Sequence, residues 1–184
     1  GSRLEEIKRI LPGLLLASMK LQDETGAEIK IISPPHLDVS FYNEFIKGYN
    51  VEIIKDDKDK GIYYEVIHNS DLVFTKAGTT TMECTLLGTP FCVTYKAGTI
   101  NYLIGKSMIK VNHVVMPNIL MGKEIVKEFI QGDMTPENLY NEGKKILIHD
   151  KYRNEMLRNF YEVRKLLTDK SASDTVAEVI NSML

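Results

Sequence analysis

No stretch of this chain approaches the ~20 consecutive apolar residues that a membrane-spanning helix requires. Nor does its start resemble a signal peptide, because Arg3, Glu5, Glu6, Lys8 and Arg9 put charge where an apolar core would lie. Cysteine is scarce. Cys84 and Cys92 are the only two, both in apolar segments, which suits buried free thiols in a reducing compartment better than a disulfide framework. Charge of one sign is lacking too: the formal net charge is −2, which gives no electrostatic footing for nucleic acid. His36, His68, His113 and His149 show no ligand spacing, and neither a metal nor a cofactor is expected. Internal repeats and low-complexity segments are absent as well. The expectation left standing is a cytosolic, non-spanning protein. Its 184 residues, 43% of them hydrophobic, fit one domain with a substantial core.

Strand and helix patterns alternate along the first two thirds of the chain. Residues 3–22 carry Leu4, Ile7, Ile10, Leu11, Leu14 and Leu15 at helical spacing, with Pro12 as a kink or restart. A strand follows at 28–33, then an amphipathic helix at 37–47, a strand at 51–54, a solvated charged loop at 55–60 and a helix at 62–69. Further strands are predicted at 72–75, 91–95 and 114–116, with helices at 79–87 and 100–108. From residue 123 the pattern reads as helix only, through 130, 139–148, 152–167 and 175–184. Strands separated by helices imply βαβ crossovers and a parallel sheet. The fold class expected is therefore α/β: a Rossmann-like domain over 1–150 with a helical tail over 151–184. The chain opens on a helix, whereas such a sheet normally begins with its central strand. Gly1-Ser2 is thus either an added leader or, with Arg3, the close of a strand-to-helix turn whose strand lies upstream.

The stretch richest in chemistry is Lys76-Ala77-Gly78-Thr79-Thr80-Thr81-Met82-Glu83. An apolar strand, a glycine turn and hydroxyl residues opening a helix form an anion site, since unpaired N–H groups and the helix dipole both favour negative charge there. Glu83 lies four residues past Thr79, on the same helix face, where a carboxylate can accept the vicinal hydroxyls of a sugar. Together these point to a nucleotide-sugar site. The plainer alternatives are a threonine N-cap for the turn and compensation of the helix dipole for Glu83.

Three blocks then resemble the lipid-A-disaccharide synthase family, a group of two-domain inverting glycosyltransferases. They are Ser70 to Cys84, with its strand, glycine–threonine turn and glutamate; Thr89-Pro90-Phe91-Cys92-Val93-Thr94-Tyr95-Lys96; and Val115-Met116-Pro117-Asn118-Ile119-Leu120-Met121-Gly122-Lys123-Glu124, continuing to Gln131. The third is the most diagnostic, being similar to the family's Pro-Asn-Leu-Leu-Ala-Gly-Arg-Glu run. Gly1-Ser2-Arg3 is similar to its Leu-Pro-Gly-Ser-Arg turn. The resemblance covers nearly the whole chain but only the C-terminal, donor-binding half of the family's length, one half of a GT-B fold.

What the resemblance implies is a UDP-sugar half-site. Arg3 matches the diphosphate-contacting arginine, whose guanidinium offers a fixed fork of donors. Gly78, Thr79 and Thr80 are expected at the phosphates, with Glu83 on the ribose hydroxyls and Asn118 on the nucleotide. Ser2, Tyr95, Lys96 and Lys123 complete the donor-binding set. Taken alone, Arg3 also reads as a solvated charge, and Asn118 as a turn asparagine capping its own backbone before a helix that begins at Lys123. Lysine at 123, where the family has arginine, weakens any bidentate contact. Ala77 removes a hydroxyl that the family often has. Lys76 either supplements diphosphate neutralisation or points into solvent, and solvent is the favoured reading. Residues 100–110 read as a core crossover helix or as an interfacial surface touching acyl chains.

The same resemblance implies transfer of 2,3-diacylglucosamine from UDP-2,3-diacylglucosamine to 2,3-diacylglucosamine 1-phosphate, in lipid A biosynthesis peripheral to the inner membrane. No catalytic residue is assigned on this chain, because the general base is expected on an N-terminal acceptor domain outside it. The tail, with Met156, Leu157, Phe160, Val163, Leu166 and Leu167, needs either its own domain or a partner surface, which allows a homodimer. Two alternatives stay open: the donor domain of another UDP-N-acetylglucosamine-using glycosyltransferase, and a non-enzymatic nucleotide-binding module.

Overall fold

Residues 3–57, 61–96, 112–168 and 180–181 are described by the computed structural model. Ser2, the helix expected over 100–108 and most of that expected over 175–184 lie outside them. The described chain runs α1 (Leu4–Thr25), β1 (Ile29–Ser33), a 3-10 turn (Val39–Tyr42) leading into the short α2 (Asn43–Ile46), β2 (Val51–Lys55), α3 (Ile62–His68), β3 (Val73–Lys76), α4 (Thr79–Leu87) and β4 (Phe91–Tyr95). It continues through α5 (Met116–Met121), β5 (Glu128–Ile130), a 3-10 turn (Gln131–Asp133), α6 (Pro136–Ile148) and α7 (Asp150–Thr168). Every strand pairing is parallel, with Ile31 opposite Ile53, Thr75 opposite Val93 and Thr94 opposite Phe129. The strands form two groups, β1–β2 and β3–β4–β5. This is the α/β architecture the alternating pattern predicts.

Helices cover both faces. On one, α1 sends Ile7, Leu11 and Leu15 to Ile31 and Ile53 of the first group, and Ile10, Ala17 and Leu21 to Phe74, Cys92 and Phe129 of the second. Helix α6 lies beside it, tied by Lys144 to Glu24 at 2.7 Å and by Lys20 stacked 3.9 Å over the Tyr140 ring. On the other face Ile67, Cys84, Phe91, Val115, Met156, Phe160 and Val163 make the largest core cluster. Both cysteines are buried and unbridged, and burial pushes the Cys84 thiol up to about 12.

Two expectations fail in the same place. Val114 to Met116 is not a strand: Val115 is the extended N-cap of α5, and Pro117 sits in that helix's first turn, where its missing N–H costs nothing. Nor does a helix begin at Lys123. Gly122 ends α5 in the left-handed conformation (φ 63°), the chain stays irregular through Lys127, and β5 follows. Ile125, Val126, Phe129 and Ile130 mimic a helical period, but Ile125, Val126 and Phe129 are buried from a loop and a sheet. The helix expected over 37–47 breaks into a 3-10 turn and one α-turn, because Asp38 accepts the Ser40 N–H at 2.8 Å and starts a turn of its own.

Candidate functional site

Helix α4 starts without a side-chain cap. Gly78 is its N-cap residue and no hydroxyl accepts from the first turn, so the threonine-cap alternative does not apply. Instead the Thr81 and Thr85 hydroxyls donate backwards, to Gly78 O (2.7 Å) and Thr81 O (2.7 Å). The start of α4 lines a cleft of about 360 Å³, together with Ile32, Pro34, Asp56, Tyr63 and the end of β3, residues 75–80 in all contributing from this side. It lies beyond the C-terminal ends of β1, β2 and β3, the edge at which open α/β sheets bind ligands.

Three side chains form a chain of hydrogen bonds at its wall. The Tyr63 hydroxyl donates to Glu83 Oε2 at 2.6 Å and lies 2.7 Å from Thr80 Oγ1. Burial and the Glu83 carboxylate raise the Tyr63 pKa well above a phenol's usual value, so Tyr63 remains a donor at neutral pH. Sequence reasoning missed Tyr63, because nothing in the pattern of α3 distinguishes it from Tyr64. It also missed Asp56, placed in a solvated loop. Asp56 Oδ1 is buried in this cleft without a hydrogen-bond partner, a feature only the packing around Ser33 O, which accepts the Asp56 N–H at 2.8 Å, could reveal.

Lys76 does not point into solvent. Its ammonium is 2.8 Å from Glu6 Oε2, both side chains being about three-quarters buried or more. Arg3, the N-cap residue of α1, reaches Glu6 from the other side at 3.9 Å with its own side chain exposed. Glu6 thus gathers two cations at the rim of the Gly78 turn. The hydrogen bond from Lys76 holds the Glu6 carboxyl below its ordinary value of 4.5. A carboxylate with a depressed folded pKa stabilises the fold above its unfolded pKa and loses that contribution as pH falls through the folded one. A Glu6→Gln, Lys76→Met double-mutant cycle should show about 1 kcal/mol of coupling at pH 7. That coupling should fade below about pH 4.5 when urea midpoints are repeated in acid.

The remaining expected residues divide. Tyr95 and Lys96 stand at the C-terminal end of β4, Tyr95 half-buried and Lys96 exposed, and Lys123 is exposed after α5. Asn118 is different: it is fully buried within α5. Its Oδ1 accepts the N–H groups of Ile125 (2.8 Å) and Val126 (3.0 Å), and its Nδ2 donates to Val126 O (2.9 Å) and Glu128 Oε1 (2.8 Å). That uses all four of its hydrogen-bonding positions. Glu128 in turn accepts the N–H groups of Val114 and Val115 at the start of α5. The Pro117–Glu128 segment is therefore knotted through one amide and one carboxylate.

A family model described as lipid-A-disaccharide synthetase matches residues 1–179. Among curated proteins the chain is similar to lipid-A-disaccharide synthases of Francisella tularensis subsp. novicida (36% identical over 192 residues), Nitrosococcus oceani (33% over 190) and Myxococcus xanthus (32% over 185). Each comparison takes in 100% of this chain but only 47–48% of the relative. The chain thus spans about half the length of the curated relatives it matches. Among the described residues no helix is long and apolar enough to cross a membrane.

Proposed function

Because the chain belongs to the lipid-A-disaccharide synthetase family, we propose that it is the donor-binding half of such a glycosyltransferase, holding the UDP of a UDP-diacylglucosamine. The observation that carries this reading is the uncapped start of α4 opening into the cleft beside the Tyr63–Thr80–Glu83 chain. The N–H groups there suit the diphosphate. Arg3, beside the Glu6–Lys76 pair at the start of α1, adds the charge that a leaving UDP requires. Glu83 has Oε2 engaged by Tyr63 and Oε1 left for the ribose hydroxyls. Asn118, with every position used, acts by shaping the loop rather than by touching nucleotide.

In this reading the chain stabilises the leaving group and supplies no general base. Transfer of diacylglucosamine to diacylglucosamine 1-phosphate then needs an acceptor domain, and no metal takes part. Titration calorimetry on the 184 residues is expected to give weak UDP binding, on the order of 0.1–1 mM, tighter than ADP. Glu83→Ala should weaken UDP about tenfold, the size of one hydrogen bond to a charged group. Arg3→Ala should remove most of the preference for UDP over UMP. Equal affinity for UDP and ADP would sink the donor assignment, and turnover by the chain alone would refute the half-site.

A further inference from the structure

Tyr63, Thr80 and Glu83 meet across the contact between α3 and α4, and the protons they share can be counted. A phenol has one proton to give, a threonine hydroxyl has one, and an ionised carboxylate has none. Tyr63 gives its proton to Glu83 Oε2, at 2.6 Å. The 2.7 Å contact between Tyr63 and Thr80 Oγ1 must then be made with the proton of Thr80. The chain therefore runs one way, from the Thr80 hydroxyl to the Tyr63 oxygen and from the Tyr63 hydroxyl to Glu83. Burial and the Glu83 carboxylate raise the Tyr63 pKa, which keeps that phenol protonated and that direction fixed. Tyr63 is also packed against the main core cluster, so its oxygen is a fixed point.

The consequence falls on Thr80. With its proton committed to Tyr63, its oxygen meets a ligand only as an acceptor. A phosphate oxygen, itself an acceptor, gains nothing from it. Thr81 and Thr85 differ, because their protons go back into α4. Thr80 and Tyr63 both line the 360 Å³ cleft. Glu83 lies about one turn further along α4, with Oε2 held by Tyr63 and Oε1 left over. Hydrogen bonds of 2.7 and 2.6 Å through one phenol oxygen keep Thr80 Oγ1 and Glu83 close together. Two neighbouring acceptors, with the only donor between them turned inward, suit a ligand that presents two adjacent hydroxyls.

We propose that Tyr63 is a positioning residue that makes Thr80 and Glu83 a pair of acceptors for the vicinal hydroxyls of the donor's ribose. The Thr80 side chain thus belongs to the sugar end of the site, not to the phosphates where the family resemblance puts it. Tyr63 touches no ligand; it fixes the direction of both hydrogen bonds. The inference rests on the donor-site reading and adds a property to it: a nucleotide lacking its 2′-hydroxyl is discriminated against.

Calorimetry with UDP, 2′-deoxy-UDP and UMP tests it on the 184 residues and on Tyr63→Phe, Thr80→Val and Thr80→Ser. The parent should bind 2′-deoxy-UDP about tenfold more weakly than UDP, the worth of one hydrogen bond in such a setting. Tyr63→Phe should cut that preference to about twofold, because the Thr80 proton is released and Glu83 is no longer held. Thr80→Val should do the same, and the double variant should lose no more than either alone, since both act through one chain. Thr80→Ser should keep the preference. The ratio of UDP to UMP affinity should stay within about twofold throughout, which general damage to the site would not spare. A fall in both ratios together overturns the proposal. An unchanged preference for UDP over 2′-deoxy-UDP in Tyr63→Phe overturns it while the donor site stands, as does a parent that binds the two equally. Equal binding of UDP and ADP removes the donor site, and this inference with it. Should Tyr63→Phe fail to fold, the Thr80 pair decides: loss in Thr80→Val with the preference kept in Thr80→Ser supports the proposal, and any other pattern overturns it.

Discussion

Phe160→Ala is expected to lower the unfolding free energy by about 3–5 kcal/mol, read as a shift in urea midpoint at unchanged slope. Phe160 is completely buried and stacks on Phe91, the ring centroids 5.4 Å apart and the planes inclined by 25°. Around them pack Ile67, Cys84, Val93, Ile146, Met156 and Val163, so truncation leaves a cavity bounded by five different elements. Those elements belong to β4, α3, α4 and α6 as well as α7, and they cannot collapse together without breaking the sheet register. Leu166→Ala, six residues on, is the comparison. Leu166 is 58% exposed, and its loss should stay within about 0.5 kcal/mol. The contrast measures where the apolar face of α7 finds its cover. Met156, Phe160 and Val163 are covered by this chain's own core, while Leu166 and Leu167 are left exposed. A small effect at Phe160 would mean that α7 does not dock on the domain in solution.

Asn118→Ala is expected to cost about 3 kcal/mol in the same titration. The mechanism differs from cavity formation. Removing the amide leaves the N–H groups of Ile125 and Val126 without their acceptor and takes donors from Val126 O and Glu128. Each buried group so orphaned carries a desolvation penalty of about 1–3 kcal/mol, and the penalties overlap because one relaxation serves several. Asn118→Asp separates the acceptor from the donor. It keeps the oxygen for Ile125 and Val126 but sets a second carboxylate against Glu128 Oε1. That variant should lose stability as pH rises and recover as pH falls, since protonation removes the repulsion. A variant as stable as the parent across the pH range would show that the loop does not depend on this residue.

The same residue shows where local pattern stops being informative. Pro117-Asn118 reads as a turn because both residues favour turns. In the fold, proline occupies the first turn of α5 and asparagine serves as a bridge to a loop seven residues later. Glu128, which caps the start of α5 from β5, has no signal in sequence at all, since its partners Val114 and Val115 are fourteen and thirteen residues away. Tyr63 is the corresponding case at the candidate site: it meets Thr80 and Glu83 across the α3–α4 contact, a pairing that no periodicity encodes.

What the sequence determined by itself is whatever depends on neighbours a few residues apart. The bounds of α4 and β4, the parallel α/β class and the glycine turn that opens α4 all follow from spacing, turn chemistry and strand length. What only the tertiary structure decided depends on groups brought together from afar: Lys76 drawn to Glu6 rather than water, Asn118 spent inside the protein, β5 in place of a helix. In each, a hydrogen bond or ion pair made at long range outweighs a local preference of at most about 1 kcal/mol.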